Sequence, residues 1–261
     1  MNDRENETTG LDSLIEEQEI RDDDERSPLE IVENADLRDS KIDAVVSFGR
    51  HRAWKKNMAE LVSVQGSETV LNLCCGSGDM ALELIEIPTV KSIIGVDTSE
   101  DMLAVARDRA MILTEVGETH PKAEFVQGQP MKLQFQDESF DCVVISMGLR
   151  NTEQPSSVLR EAYRVLKPGG LFLNLDLCRP KGFLARLAFL LVFNIIAPVT
   201  GGRHRQDFRE MPRVIEEYYA ADELSALLRW HGFQDIGCKM HMPGLAAMHL
   251  AEKWPSDRYE V

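Results

Sequence analysis

The 261-residue sequence has few cysteines, and their spacing does not suit a shared site. The five thiols (Cys74, Cys75, Cys142, Cys178 and Cys238) are odd in number and include no Cys-x-x-Cys pair. Disulfide frameworks and cysteine-based zinc sites both depend on paired spacings, so the sequence argues against either. We therefore expect reduced thiols in a cytoplasmic protein without a metal site.

The N-terminal segment lacks aromatic residues and any apolar stretch. Residues 1–40 hold 15 acidic and 4 basic residues, so they carry −11 of the formal net charge of −15. A signal peptide would need an apolar core, which this segment does not contain. The composition predicts an acidic, disordered tail over residues 1–38 and one domain over residues 39–261. The remaining net charge of −4 gives no basic surface for nucleic acid.

The rest of the chain alternates apolar strands with helices, which predicts an α/β fold with a doubly wound, mostly parallel, seven-stranded sheet. An amphipathic stretch from Lys41 to Val64, interrupted near Gly49, predicts a helical cover before the first strand. The expected strands are 70–73, 92–96, 123–127, 140–146, 171–177, 235–240 and 244–251. The expected helices are 80–85, 101–114, 155–166 and 221–231, the third of them ended by Lys167-Pro168-Gly169-Gly170.

An insertion at about residues 180–220 interrupts this alternation and contains the most apolar run of the chain, residues 183–199. Its uninterrupted apolar part is shorter than the roughly 20 residues that a membrane-spanning helix needs. Three interpretations stay open: a buried helix, one wall of an apolar substrate pocket, and a helix lying in the membrane interface.

The segment Val70–Asp79 predicts a ligand loop, because a strand runs through Gly76-Ser77-Gly78 directly into a helix. The third glycine of a dinucleotide fingerprint is missing. Asp79 would repel a pyrophosphate but suits a sulfonium group, which favours S-adenosylmethionine over a nicotinamide cofactor. Asp97, about twenty residues after Ser77, ends the second strand and could accept both ribose hydroxyls or cap the next helix.

These motifs resemble those of class I S-adenosylmethionine-dependent methyltransferases, and more narrowly those of the ubiquinone/menaquinone biosynthesis C-methyltransferases. The resemblance runs in order from about residue 39 to residue 253, beyond the acidic tail. The stretches that carry it are Ser47–Trp54, Gly76–Asp79, Gly95–Ser99, Asp141–Asn151, Leu166–Gly170 and Leu245–Leu250.

The resemblance implies methylation of a ring carbon of a demethylated, demethylmenaquinone-like polyprenyl hydroquinone in respiratory quinone biosynthesis. The methyl donor would be S-adenosyl-L-methionine, and the acceptor would first lose a phenolic proton. The positions implied at the cofactor are Gly76, Ser77, Gly78, Asp97, Thr98, Met102, Gln129, Pro130 and Ser146. The candidates for the base, or for orienting the ring oxygens, are Asp43, His51, Arg150, Asn151, Asp176 and His249.

The sequence departs from the family pattern mainly where the acceptor ring would lie. Glu210 and Val214 replace the family's Tyr and Ser, and Asp43 replaces an Asn; Gln129-Pro130 replaces an Asp or Asn followed by Ala. Two alternatives therefore stay open: a methyltransferase for another small aromatic or lipid-like acceptor, and a non-catalytic S-adenosylmethionine-binding module. A homodimer and peripheral contact with the inner face of the membrane through residues 183–199 also stay open.

Overall fold

Seven strands form one sheet in the computed structural model, which describes residues 43–114, 121–196, 205–242 and 244–255. The strands are β1 Thr69–Leu73, β2 Ser92–Asp97, β3 Lys122–Gln127, β4 Phe140–Ser146, β5 Leu166–Leu177, β6 Gln234–His241 and β7 Ala246–Glu252. The helices are α1 His51–Gln65, α2 Asp79–Ile85, α3 Glu100–Thr114, α4 Pro155–Val165, α5 Phe183–Leu191, α6 Arg205–Glu217 and α7 Ala221–Trp230.

The strand order is β3-β2-β1-β4-β5-β7-β6, with β1 to β5 mutually parallel and β7 antiparallel to both of its neighbours. This confirms the predicted doubly wound, mostly parallel sheet. The chain leaves β1 toward β2 on one side and returns through β4 on the other. A crevice therefore opens at the carboxyl ends of β1 and β4, where open α/β sheets bind ligands.

The central strands are buried on both faces, because successive side chains alternate between two apolar layers. Leu71 in β1 and Val143 in β4 are paired, and they pack in the layer that includes residues of α4 and α7. Val70 and Val144 point the other way, into the layer that includes residues of α1 and α2. The near-continuous apolar runs in the sequence reflect this two-sided burial.

The helical cover predicted before β1 is present and lies against the sheet. Residues 43–47 are helical, Gly49 has φ +76°, and α1 follows. Trp54 and Met58 of α1 are buried in the layer that contains α2. The predicted tail, residues 1–38, lies outside the described residues.

The predicted end of the helix before β5 was wrong by one residue, and the predicted role of its proline and glycines was wrong as well. Helix α4 ends at Val165, and β5 begins at Leu166 with Phe140 of β4 as its partner. Pro168 and the two glycines after it therefore lie within the strand, beside a shift in register. The helix ends at Val165 because the next residue, Leu166, already pairs with Phe140 of β4.

Helix α5 has two apolar faces, and only one of them is buried, so it is not a fully buried helix; the other two interpretations stay predictions. Ala185 and Phe189 face the interior, followed by Val192 and Phe193 in a π-helical stretch, Val192–Ile196. The other face exposes five large apolar side chains: Phe183, Leu184, Leu187, Leu190 and Leu191. Residues 197–199 of the predicted run lie outside the described residues. Among the described helices, none is long and apolar enough to cross a bilayer.

Candidate active site

A cavity of about 820 Å³ opens at the carboxyl ends of β1, β2 and β4. One side of it, which we call the strand side, consists of Gly76, Ser77, Asp97, Thr98, Met102, Gln129, Pro130 and Ser146. A second group of lining residues, which we call the helix side, consists of Arg150 and Asn151 together with Glu210, Met211 and Val214 of α6. Asp43 also lines the cavity. The fold therefore brings most of the predicted site residues around one space.

Two residues after the strands bend the backbone into this cavity. Cys74 after β1 has φ +53°, and Met147 after β4 has φ +60°. Such conformations cost free energy in residues other than glycine and are concentrated at functional sites. The next position, Gly148, has no room for a side chain, since an added Cβ would lie 2.5 Å from the Cβ of Cys74. The two strand ends are therefore held in close contact.

Asp97 ties the loop after β1 to the start of α3. Its Oδ2 accepts a hydrogen bond from the Gly76 N–H at 2.9 Å, and its Oδ1 accepts one from the Ser99 N–H at 3.0 Å. The Oγ of Ser99, and not that of Thr98, accepts a bond from the Met102 N–H at 3.4 Å. Each carboxylate oxygen keeps a lone pair for a ligand. Bonding at the start of the helix and ligand binding by Asp97 are therefore compatible.

Gly78 lies at the turn into α2 and does not line the cavity. Its φ of +87° suits glycine, and an added Cβ would lie 3.0 Å from the Cβ of Ala106. This glycine therefore allows α2 and α3 to approach closely and shapes the loop indirectly.

Asp79 is paired with two cations that the sequence argument missed. Its Oδ2 lies 2.8 Å from the Nζ of Lys55, and its Oδ1 lies 2.6 Å from Nη1 of Arg109. Burial alone would raise the pKa of Asp79, but the two cations outweigh burial and lower it. The premise that Asp79 acts as an unbalanced negative charge was therefore incomplete. A sequence signal existed, since Lys55 lies at helical spacing between His51 and Met58, on the buried face of α1.

Arg150 forms a buried ion pair with Asp176 of β5. Its guanidinium donates to Oδ1 of Asp176 and, at 2.6 Å, to the Met147 carbonyl, while its backbone N–H donates to Oδ2 of Asp176 at 3.0 Å. Burial opposes the charge on Arg150, but Asp176 outweighs burial and raises the pKa of the guanidinium. These contacts fix the orientation of Arg150 at the edge of the cavity.

The two candidate histidines lie outside the cavity lining. His51 is buried, with its Nδ1 3.1 Å from the Oγ of Ser47, and the Nε2 of His249 lies 2.9 Å from the Ala221 carbonyl. Burial lowers the pKa of both imidazoles. Asp176 also lies outside the lining, but it holds the guanidinium of Arg150, which does line the cavity.

The adjacent cysteines line the cavity as protonated thiols. Burial raises the pKa of Cys74 to about 12 and also raises that of Cys75. Thiols with such pKa values are poor nucleophiles and poor metal ligands near neutral pH. No group of three or more His, Cys, Asp or Glu side chains suited to a metal ion occurs within residues 43–114, 121–196, 205–242 and 244–255.

Three cavity residues hold buried polar atoms that are not bonded to any described residue: Oγ of Ser146, Oδ1 and Nδ2 of Asn72, and Nε of Arg150. Buried polar groups usually have a partner, so these atoms indicate a polar ligand or ordered water in the cavity. These atoms line the same cavity as Asp97, the carboxylate expected to bind a ribose. Together they fit a nucleoside-containing ligand such as S-adenosylmethionine.

Comparison with known proteins agrees with this geometry. The chain is 31% identical over 227 residues to a demethylmenaquinone methyltransferase of Oceanobacillus iheyensis, covering 85% of this chain and 93% of the relative. A demethylmenaquinone methyltransferase of Geobacillus stearothermophilus is 33% identical over 233 residues, covering 85% and 95%. A crystal structure of a putative methyltransferase from Bacillus halodurans has the same fold, with a TM-score of 0.56 and 20% identity over 77% of this chain and 99% of that one.

A family model identifies the family itself. The model of the ubiE/COQ5 methyltransferase family matches residues 23–253, which is most of the chain. The resemblance found in the sequence motifs is thereby confirmed. The chain belongs to the ubiE/COQ5 methyltransferase family and is an S-adenosylmethionine-dependent methyltransferase.

Proposed function

We propose that this chain methylates a ring carbon of a demethylated polyprenyl hydroquinone such as demethylmenaquinone. The observation that carries the proposal is the shared cavity, in which Asp97 on the strand side faces the same space as Arg150 and Asn151 on the helix side. A nucleoside-type donor and an oxygen-bearing ring could occupy the two sides together. The names of the relatives from Oceanobacillus iheyensis and Geobacillus stearothermophilus support the choice of acceptor.

The strand side fits S-adenosyl-L-methionine, which when bound supplies an activated methyl group. Asp97 would accept the ribose hydroxyls, and the side chain of Gln129 would bind the adenine amino group. The buried Oγ of Ser146 provides a further polar contact. The part of these residues is to hold the donor in one orientation, which is a large share of catalysis in a transfer reaction.

The helix side would orient the ring oxygens of the acceptor. Arg150 is held by Asp176 and by the Met147 carbonyl, so its position is fixed before the acceptor arrives. A fixed cation stabilises the negative charge that develops on a phenolic oxygen during deprotonation. Asn151, next in the chain, provides an amide for the same or the second ring oxygen.

Asp43 would accept the phenolic proton. Of the candidate bases, it is the carboxylate that lines the cavity, and its contact to the Nζ of Lys55 is long, at 3.4 Å. Asp176 lies outside the lining and is bonded to Arg150, and the histidines lie elsewhere. General base catalysis typically contributes about 10²- to 10⁴-fold to a rate. Asp43→Asn should therefore lower kcat by about 10²-fold or more while leaving the affinity for S-adenosylhomocysteine within about threefold. An equal loss in kcat and in the affinity for S-adenosylhomocysteine would argue that Asp43 binds the cofactor.

Quinone profiling of a deletion strain tests the function as a whole. Loss of the gene should convert methylated quinone to its demethylated precursor, and the wild-type chain, but not its Asp97→Ala variant, should restore it. An unchanged quinone profile would reject the acceptor. It would favour a second candidate function, methylation of another small aromatic or lipid-like acceptor. That alternative is motivated by Glu210 and Val214, which line the helix side where the family pattern has Tyr and Ser.

The exposed face of α5 would lie in the membrane interface, where a polyprenyl substrate resides. Phe183 is 80% exposed and Leu184 is 72% exposed, and Leu187, Leu190 and Leu191 continue the same face. Exposed apolar surface of this kind marks contact with a membrane or a partner. The chain would then work in the cytoplasm, bound peripherally at the inner face of the membrane.

Vesicle co-sedimentation tests this contact. Full burial of one leucine side chain contributes about 1.5–3 kcal/mol, so Leu184→Ser with Leu187→Ser should lower partitioning onto lipid vesicles by at least tenfold. The matched control is Val64→Ser, an equally exposed apolar residue of α1 outside α5, which should change partitioning little. Turnover of a short-chain quinol in detergent-free buffer should stay close to the wild-type value. Unchanged partitioning would reject the contact.

A further inference from the structure

Helix α5, the end of β6 and the start of α1 meet on one side of the sheet. Trp54 of α1 and Phe189 of α5 are buried in the same apolar layer. The ring of His241, the last residue of β6, lies 4.8 Å from that of Trp54. The turn after β6 packs on α5, since a Cβ added at Gly244 would lie 3.0 Å from the Cβ of Ala185. The surface around the exposed face of α5 therefore includes residues of α1 and β6.

Three exposed cations lie on this surface: Arg50 immediately before α1, Lys239 in β6 and Arg186 in α5. We call these three residues the basic rim. Arg186 follows Phe183 by three residues and precedes Leu190 by four, so it borders the exposed apolar face of α5. The basic rim and the exposed apolar side chains of α5 therefore share one side of the sheet.

The basic rim is not neutralised by neighbouring carboxylates of the described chain. None of its three residues forms an ion pair with a residue that the structure describes. Burial lowers the pKa of His241, and the charges of Lys239 and Arg50 lower it further, without a described acidic residue acting against them. The potential at the end of β6 is therefore positive.

This positive charge contrasts with the rest of the chain. The formal net charge is −15, so most of the protein surface would be repelled by an anionic one. Two further cations just before α5, Arg179 and Lys181, are balanced by Glu223 and Asp222 of α7 and add no net charge. Unbalanced positive charge thus lies beside an exposed apolar face in a chain that is acidic overall.

We propose that this surface binds membranes that contain anionic lipids, with the basic rim at the headgroups and the apolar face of α5 at the acyl boundary. Long basic side chains lay their aliphatic part over apolar surface and keep their charge at the headgroups. Phe48, which is 56% exposed and lies two residues before Arg50, adds an aromatic side chain suited to the same interface. An isologous contact with a second copy would bring like charges together, so the charges favour a lipid surface. This inference rests on the proposed membrane contact of α5 and adds the class of lipid.

Co-sedimentation with vesicles of two lipid compositions tests the inference. The wild type should bind vesicles of phosphatidylcholine mixed with phosphatidylglycerol at least about tenfold more tightly than vesicles of phosphatidylcholine alone. Each basic residue near an anionic surface contributes about fivefold to binding, so Arg50→Gln with Lys239→Gln should lose at least about tenfold on the mixed vesicles. Binding of this variant to phosphatidylcholine alone should stay within about twofold of the wild type, because the apolar face of α5 is unchanged.

Two comparisons control for total charge and for folding. Arg160→Gln with Arg229→Gln removes the same charge from exposed positions of α4 and α7, the helices that pack on the opposite face of the sheet, and should keep the wild-type preference within about twofold. Added salt needs no variant at all. It should reduce the preference of the wild type for the mixed vesicles, because salt screens exposed charges, and should not weaken binding to phosphatidylcholine alone.

Each contrary outcome bears on a separate claim. Equal binding of the wild type to both kinds of vesicle, or an unchanged preference in the Arg50 and Lys239 variant, would overturn the role of the basic rim and leave the apolar contact of α5 intact. An equal loss in the Arg160 and Arg229 variant would mean that total charge, and not this surface, sets the preference. A wild type that binds neither kind of vesicle would overturn the membrane contact and this inference with it. The quinone profile tests methylation separately from all of these.

Discussion

The strand side and the helix side of the cavity are held in place by different kinds of contact. On the strand side, one carboxylate, Asp97, accepts two backbone N–H groups from the adjoining turns, those of Gly76 and Ser99. On the helix side, Arg150 depends on an ion pair with Asp176, which lies 26 residues further along the chain in β5. The strand side is thus held by backbone N–H groups at the ends of the adjacent strands β1 and β2. The helix side is held by a buried ion pair between two side chains.

The difference bears on specificity. A loop and carboxylate at strand ends suit any nucleoside ligand, and this part of the cavity carries the motifs shared with class I methyltransferases in general. The helix side contains Glu210 and Val214, where the sequence departs from the family pattern. We expect changes on the strand side to alter donor binding and changes on the helix side to alter stability and acceptor use.

Removing Asp176 should have the largest effect. Asp176→Leu leaves the Arg150 guanidinium buried without its partner, which typically costs about 3–5 kcal/mol. Urea unfolding should show a loss of free energy in that range. The double variant Arg150→Met with Asp176→Leu should recover much of it, because no charge then remains buried. A loss below about 1 kcal/mol in the single variant would mean that the helix side is not held by this pair.

Removing Asp97 should have the next largest effect, and on binding more than on stability. Hydrogen bonds to a charged group contribute about 1.5–3 kcal/mol each, so Asp97→Ala should weaken S-adenosylhomocysteine binding by about 100-fold or more. Asp101→Ala, at an exposed position of α3, is the matched control and should bind within about twofold of the wild type. A variant Asp97→Ala with near-normal affinity would mean that the strand side is not the donor site.

The sequence predicted the strand side more fully than the helix side for a physical reason. Gly76 and Ser77 lie just after β1, Asp97 ends β2, and parallel strands bring their carboxyl ends to one edge of a sheet. Strand order and the position of these residues therefore follow from local patterns. The seven-stranded fold could be predicted in the same way, and the largest error in a strand boundary was the start of β5, expected at residue 171 and found at Leu166.

The contacts that sequence reasoning missed are those between elements distant in the chain. Neither the pairing of Lys55 with Asp79 nor that of Arg150 with Asp176 has a fixed spacing, since each depends on how a helix or turn packs on the sheet. The sequence also could not predict which face of α5 is buried. Its sequence is apolar on both sides, so periodicity could not indicate which face is buried.

The pH dependence of stability should show the smallest effect. It concerns His249, a buried residue whose pKa is affected by Asp176, the partner of Arg150. The His249 Nε2 lies 2.9 Å from the Ala221 carbonyl, so Nε2 carries a proton and donates it, and this contact by itself raises the pKa of His249. Burial lowers the pKa of His249, so below about pH 6.5 the unfolded chain binds a proton that the folded chain does not. The contribution of His249 is therefore fully present above pH 6.5 and is lost as the pH falls.

We expect the free energy of unfolding to fall between pH 7 and pH 5.5, and His249→Gln to remove at most about 1 kcal/mol of that fall. His231→Gln is the control, because His231 is only half-buried and shares a contact with Ser156, so its removal should change the slope less. Chemical unfolding at several pH values measures both variants. If His249→Gln leaves the slope unchanged, the imidazole is accommodated as a cation in the fold. In that case a nearby negative charge must compensate it, and the candidate is the carboxylate of Asp176, which by itself raises the pKa of His249.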